Sequence, residues 1–306
     1  MEQDSLSEAG FRNTIAILAD MDWPGGICPA RWHGEPLPSQ GIVKDIVELS
    51  RSLVFPGFFG DESLTSENIT YHTGIRVERL YKLLSDQIYA GTAMAQDCDE
   101  HSDNNTLQTI AKEKAKKFIL ALPELRRKLS ADVRATYLGD PAATSTREVT
   151  YCYPGIRAIS SYRIAHKLMQ LQVPIIPRMI SELAHSETGI DIHPEATIGE
   201  SFTIDHGTGI VIGATAIIGN NVKLYQGVTL GAKSFDTDCH GNPIKGIARH
   251  PIIGDNVVIY SNTSILGRIK IGNNAVIGGN IWITEDVADN EKLVQAKANN
   301  ILRFKQ

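Results

Sequence analysis

Two periods divide this chain. Over the first 187 residues apolar positions recur three or four apart: Ile42, Ile46, Leu49 and Leu53; Val77, Leu80, Leu84 and Ile88; Leu125, Leu129 and Val133; Ile164, Leu168 and Leu171; Ile176, Ile180 and Leu183. Each set draws one stripe on a helix, and each stripe must be buried against another helix. Pro24-Gly25-Gly26, Pro56-Gly57, Pro123 and Pro154-Gly155 fall between the stripes, where proline and glycine break helices. Leu138-Gly139-Asp140-Pro141 reads as a glycine cap followed by proline, which puts Asp140 on a loop just past a helix end. The expectation is an all-helical domain over residues 1–187.

After residue 190 the rhythm becomes six. Ile192, Ile198 and Ile204 are followed, after a slip of two residues, by Ile212, Ile218, Leu224 and Leu230. After a longer interruption the same count runs through Ile253, Ile259, Ile265, Ile271, Ile277 and Ile283. A period of six fits neither a helix nor an amphipathic hairpin. It fits a solenoid in which each hexad supplies one short strand and a corner, and stability comes from stacking on neighbours. Glycine and asparagine (Asn220-Asn221, Asn273-Asn274) serve the corners, where left-handed torsions suit such residues. The fold class is therefore α+β: a helical domain, then a parallel β-helix over residues 188–288, with a tail over 289–306.

Thirty basic and thirty-five acidic residues give a formal net charge of −5, with 42% hydrophobic and 21% charged residues. That balance excludes a general nucleic-acid binder, which needs a basic surface. The acidic start Met1-Glu2-Gln3-Asp4 is unlike a secretory signal, and no apolar run approaches the ~18 residues a bilayer demands. Cys28, Cys98, Cys152 and Cys239 form no C-x-x-C pair, as in a reduced cytoplasmic protein.

Regular hexads are explained by packing, so function is sought where the count fails. One failure is the slip within Ile204-Asp205-His206-Gly207-Thr208-Gly209-Ile210; the other is the excursion over residues 231–252, which leaves as Gly231-Ala232-Lys233 and returns through Arg249-His250-Pro251. A long loop thrown from a rigid coil is a candidate binding element. Within it Asp236, Asp238, Cys239 and His240 are too crowded on one loop to predict a metal site; none is expected.

The ordered segments Asp140-Pro141-Ala142, Tyr162-Arg163-Ile164-Ala165-His166, Asp191-Ile192-His193-Pro194, residues 204–213, Gln226-Gly227-Val228-Thr229-Leu230-Gly231 and Arg249-His250-Pro251 resemble the serine O-acetyltransferase family. The resemblance covers about residues 125–283. It implies a left-handed β-helix, trimers or hexamers (dimers of trimers), and a site between subunits. It also implies acetyl transfer from acetyl-CoA, as co-substrate, to the L-serine hydroxyl, a step of cysteine biosynthesis. His206 matches the general base and Asp191 the carboxylate that orients it. Asp140 and Asp205 match positions holding the substrate ammonium, and Arg249 and His250 those holding its carboxylate. Gly231, Ala232 and Ser261 are expected against coenzyme A, along the exterior of the β-helix.

The chemistry asks for these residue types. A serine hydroxyl is a weak nucleophile until a base takes its proton. Histidine, ordinarily titrating near ~6.5, suits that task and contributes typically ~10²–10⁴-fold. An amino-acid zwitterion needs anions at one end and cations at the other, the pattern that Asp140 and Asp205 against Arg249 and His250 would supply, with arginine offering a fork matched to carboxylate. Ala214 departs from the family's usual Gly-Glu-Thr-Ala, removing one carboxylate. The end Phe304-Lys305-Gln306 lacks the C-terminal isoleucine by which relatives dock into O-acetylserine sulfhydrylase, which speaks against that complex. The alternatives are a hexapeptide acyltransferase for a sugar or other hydroxylated acceptor, and a non-catalytic trimeric scaffold with a relic site. A zinc hydratase is disfavoured, since no three histidines are spaced to converge.

Overall fold

The computed structural model describes residues 8–20, 36–60, 64–95, 103–235 and 237–296. Seven helices come first among the described residues: α1 (Glu8–Ala19), α2 (Gln40–Val54), α3 (Ile69–Met94), α4 (Asn104–Gly139), α5 (Thr146–Cys152), α6 (Pro154–Gln170) and α7 (Ile176–Thr188). The predicted stripes are the buried ones: Ile46, Leu80, Leu84, Ile88, Leu129, Ile164, Leu168, Ile176 and Ile180 are sealed from solvent. Pro123 does not divide two helices but lies inside α4. The stripe Leu107, Ala111, Ala115, Phe118, Leu122, Leu125, Leu129 and Val133 stays buried across it, and that continuous burial outweighs the ~3 kcal/mol a mid-helix proline costs.

α4 ends where expected, for a different reason. Gly139 is not left-handed; Asp140 leaves the helix with φ −117° and ψ 110°, the extended conformation that the following Pro141 imposes.

From Asp191 onward the chain winds about five coils of parallel strand, and every sixth aliphatic residue points inward and is buried. The first face stacks β1 (Asp191–Ile192), β4 (Val211–Ile212), β7 (Thr229–Gly231), β10 (Ser264–Leu266) and β13 (Trp282–Ile283). The second stacks β2 (Thr197–Ile198), β5 (Ile217–Ile218), β8 (Ile252–Ile253) and β11 (Lys270–Ile271). The third stacks β3 (Thr203–Asp205), β6 (Lys223–Tyr225), β9 (Val258–Ile259), β12 (Val276–Ile277) and β14 (Lys292–Leu293). β14 pairs with β12, so the solenoid runs a few residues past the predicted limit of 288.

Between the second and third faces the corners are laddered. Asn221 donates to Asn256, Asn256 to Asn274 and Asn274 to Asn290, at 3.0–3.1 Å. All four asparagines have φ between 56° and 63°, the left-handed region that asparagine tolerates better than most residues.

The helical domain closes the open first coil. Tyr162 donates its hydroxyl to the Ala196 carbonyl at 2.6 Å and accepts the Ile198 N–H. Arg163 donates to Asp132 at 2.6 and 2.8 Å and to the Gly199 carbonyl at 2.8 Å, while Asp132 also accepts the Phe202 N–H. Arg163 and Asp132 are both almost fully buried. This ties α4 and α6 rigidly to the strand edge that would otherwise be unpaired.

Candidate functional site

The two-residue slip builds an unusual corner. Where the chain passes from the third face to the first, later coils turn on a single left-handed residue: Gly227, Asn262 or Asn280. The first coil uses three, His206 (φ 57°), Gly207 (φ 94°) and Gly209 (φ 80°). A histidine in this region is uncommon, and such conformations persist where the surroundings enforce them. The result is an imidazole lifted out of the solenoid, its side chain 77% exposed in the single chain.

Beside it lies a cluster of charge. Asp205 points outward from β3, its Oδ1 3.7 Å from His206 Nε2 and its Oδ2 2.8 Å from Lys223 Nζ. Lys223 also donates to the Gly139 carbonyl at 2.8 Å, joining the solenoid to the end of α4. Burial works against the Lys223 charge, but hydrogen bonds and charge from Asp205 and Tyr225 prevail and hold it above the usual lysine range. Asp140, next after that carbonyl, accepts the Tyr153 hydroxyl at 2.6 Å and the Ala142 N–H at 2.8 Å. Those bonds, the tyrosine's first, hold its carboxyl below the usual range, and Asp140 in turn pushes Tyr153 up to about 12. Asp140, Asp205 and His206 are thus brought together.

Arg249 and His250 stand elsewhere, at the corner between the first and second faces. The His250 ring is buried, its Nδ1 accepting the Thr215 N–H at 3.1 Å, while Thr215 Oγ1 accepts the N–H groups of both Arg249 and His250. Arg268 braces the segment through the carbonyls of Thr215 and His250 at 2.6 and 2.9 Å. Burial first, then the charges of Arg249, His193 and Arg268, lowers His250 to about 4. It is therefore a neutral ring near pH 7, offering Nε2–H and no charge. The pair expected to supply cations supplies one, Arg249. Its Nε is buried without a partner, and its guanidinium lies 5.5 Å from the Phe235 ring. Gly213 leaves room for the imidazole: a Cβ there would fall 2.0 Å from His250 Cδ2.

Asp191 sits in β1 opposite Val211. Among the described residues the carboxylate within 4 Å of the His206 ring is that of Asp205, and no hydrogen bond joins Asp191 to it. His193 accepts the Glu195 N–H at 3.2 Å. Gly231 and Ala232 open the excursion, where Gly231 accepts the Gly267 N–H at 3.0 Å. Ser261 lies at the opposite edge of the first face, above the His206 corner; a single chain does not bring it to the other two. In the excursion Asp238 accepts the N–H groups of His240 and Asn242 at 2.8 and 2.9 Å, shaping a turn. Asp236, Cys28, Cys98 and residues 297–306 lie outside the described residues. Among the described residues no helix is long and apolar enough to cross a membrane, and no group of three or more acidic, histidine or cysteine side chains is placed to hold a metal ion.

Lys223, Tyr153, Thr215 and Arg268 were not anticipated. Lys223 stands at a plain outward hexad position, and the sequence gives no sign that it reaches back to residue 139.

Residues 250–280 match the family model described as bacterial transferase hexapeptide, six repeats. The chain is 48% identical over 265 residues to the plasmid serine acetyltransferase of Synechococcus elongatus, covering 86% of this chain and 83% of that one. It belongs to the serine acetyltransferase family. A serine acetyltransferase of Staphylococcus epidermidis is 46% identical over 161 residues, 53% of this chain and 71% of its own length. The fold is similar to the crystal structure of Entamoeba histolytica serine acetyltransferase 1 in complex with L-cysteine, with TM-score 0.71, 32% identity, and coverage of 93% of this chain and 96% of that one.

Proposed function

We propose that this serine acetyltransferase family member moves the acetyl group of acetyl-CoA to the hydroxyl of L-serine, with His206 as general base. The imidazole takes the hydroxyl proton as the serine oxygen attacks the thioester carbonyl. The carbon–sulfur bond then breaks, and the departing thiolate recovers that proton, leaving O-acetylserine and free coenzyme A. The observation that carries the reading is an exposed histidine held at φ 57° in the interrupted corner, beside Asp205 and Asp140.

Asp140 and Asp205 serve the substrate ammonium, and Arg249 with the neutral His250 its carboxylate, arginine as the cation and histidine as an N–H donor. These groups occupy two edges of one solenoid face. That face spans residues 210–213, roughly 10 Å at about 3.3 Å per residue, and the corners lie beyond it. One serine is too short to reach both edges of one chain. A second copy that sets its Arg249 edge against the His206 edge would complete the site, which favours a homotrimer, or a hexamer built from two, with the helical domain over residues 1–187 joining them. Asp191 enters only as an orienting group in that assembly. Acetyl-CoA would lie in the same groove, with Gly231 and Ala232 from one copy and Ser261 from the other. The reading carries with it a cytoplasmic enzyme of cysteine biosynthesis.

The test is an acceptor screen that follows thiol release from acetyl-CoA. L-serine is expected to be the best acceptor, and His206→Asn, which suits the left-handed corner, to lose at least ~10²-fold in turnover. Equal rates with a sugar and with serine would defeat the assignment.

A further inference from the structure

Asp205 has two oxygens with different duties. Oδ2 is held by Lys223 at 2.8 Å, whereas Oδ1 stands 3.7 Å from His206 Nε2, outside the 2.7–3.2 Å of a made hydrogen bond. A carboxylate free to rotate beside an imidazole would close that gap and stabilise the protonated ring, which is the wrong state for a general base. Something keeps Asp205 back.

We propose that Lys223 is a positioning residue of the acetyl-transfer site: by gripping Asp205 and the end of α4 together, it withholds Asp205 from a full ion pair with His206 and keeps the imidazole ready to accept a proton. This rests on the reading of His206 as the general base.

The grip is built into the register. β3 and β6 pair with Thr203 opposite Lys223 and Asp205 opposite Tyr225, so Lys223 reaches Asp205 along the diagonal of the same outward face. Both side chains are largely withdrawn from solvent, 15% and 17% exposed, unlike the exposed pairs that contribute little. The second grip, on the Gly139 carbonyl, fixes the residue just before Asp140. The ammonium also lies 4.6 Å from the centre of the Tyr225 ring. The repeat does not ask for lysine here: Thr203, Val258 and Val276 hold the equivalent outward position in neighbouring coils.

The groups about His206 are Asp205 from β3, Lys223 from β6 behind that carboxylate, and Asp140 past α4 with Tyr153 on it. Asp140, Asp205 and Lys223 together carry one net negative charge, a match for a single substrate ammonium. Without Lys223 they carry two, and Asp205 is free to turn. Both changes favour the protonated ring, so activity must be lost at a higher pH than before.

The experiment compares the pH dependence of kcat/KM for L-serine, from about pH 5.5 to about pH 9, in the wild type, Lys223→Met and Lys223→Arg. In Lys223→Met the acid limb is expected to move up by about one unit, with activity near pH 6 falling about tenfold more than at pH 8. Lys223→Arg keeps the charge and the limb. An unmoved limb in Lys223→Met overturns the proposal even if the rate falls, because a merely structural loss lowers activity equally across pH. A limb moved alike in both variants overturns it too. Should Lys223→Met fail to fold, as judged by circular dichroism and sizing, Lys223→Gln takes its place under the same criteria. Failure of the underlying reading is seen separately, as retained turnover in His206→Asn.

Discussion

The buried pair of Arg163 and Asp132 is the joint on which the site's geometry turns, and removing one partner is the sharpest test of it. In Arg163→Met the Asp132 carboxylate, fully sealed from solvent, loses donors at 2.6 and 2.8 Å and retains the Phe202 N–H alone. The Gly199 carbonyl loses its 2.8 Å donor as well. Stranding a buried charge in this way costs about 3–5 kcal/mol, a large share of the ~5–15 kcal/mol by which folded proteins exceed the unfolded state. The double variant Asp132→Leu/Arg163→Met removes both charges and leaves only backbone groups short of partners. It should fall short of the summed single costs by about 2 kcal/mol.

The assay is denaturant unfolding at one fixed protein concentration, since the proposed assembly would make stability depend on concentration. Activity provides a second readout, because the same joint sets the α4 end, with Asp140, against the coil that carries His206. Costs below about 1 kcal/mol for Arg163→Met, or strict additivity in the double variant, would refute the reasoning.

Three further outcomes follow from the site. Gly213→Ala sets a methyl 2.0 Å from His250 Cδ2 and should raise the KM for serine about tenfold or more while circular dichroism stays unchanged; an unaltered KM would show that the ring's seat is unimportant. His250 is lowered in the folded chain to about 4 by burial and neighbouring cations, against ~6.5 when unfolded. Its contribution is therefore whole above the unfolded value and lost as pH falls from about 6.5 toward 4, so acid should lower the unfolding midpoint, and His250→Asn should flatten that part of the curve. Asp140→Asn should raise the KM for serine about 10-fold or more with the KM for acetyl-CoA little changed, read from initial rates; equal effects on both would place Asp140 outside the ammonium site.

The solenoid was legible because its interior is narrow: the same position of every hexad fills it with an aliphatic side chain, and Ile253 through Ile283 declare that position without error. The slip at His206 was legible for the same reason, since two extra residues in a fixed count stand out and reappear as extra left-handed turns. Pro123 misled because proline marks a helix end only when burial does not carry the helix through it. The lowering of His250 was hidden, as it comes first from burial of the ring and then from Arg249, His193 and Arg268, two of them brought close only by the fold. Lys223 was hidden likewise: its partner Gly139 lies 84 residues away, and no hexad pattern records what a helix end presents to a strand.

If the two clusters are halves of the proposed inter-subunit site, their separation accounts for an enzyme built on so rigid a frame. His206 and Asp205 stand on one edge of the first face, and Arg249 and His250 on the other. In the proposed roles, neither edge alone meets both ends of an amino acid. Each edge is nevertheless fixed within its own chain, by Lys223 and Tyr153 on one side and by Thr215 and Arg268 on the other. In the proposed assembly, bringing two finished edges together would leave little to order when substrate arrives, a preorganisation that would favour the reacting geometry. Dissociation should then abolish turnover while both halves keep their internal bonds. Dilution below the assembly threshold should accordingly produce inactive chains with unchanged circular dichroism, and full activity in the dissociated chain would show that one copy holds serine by itself.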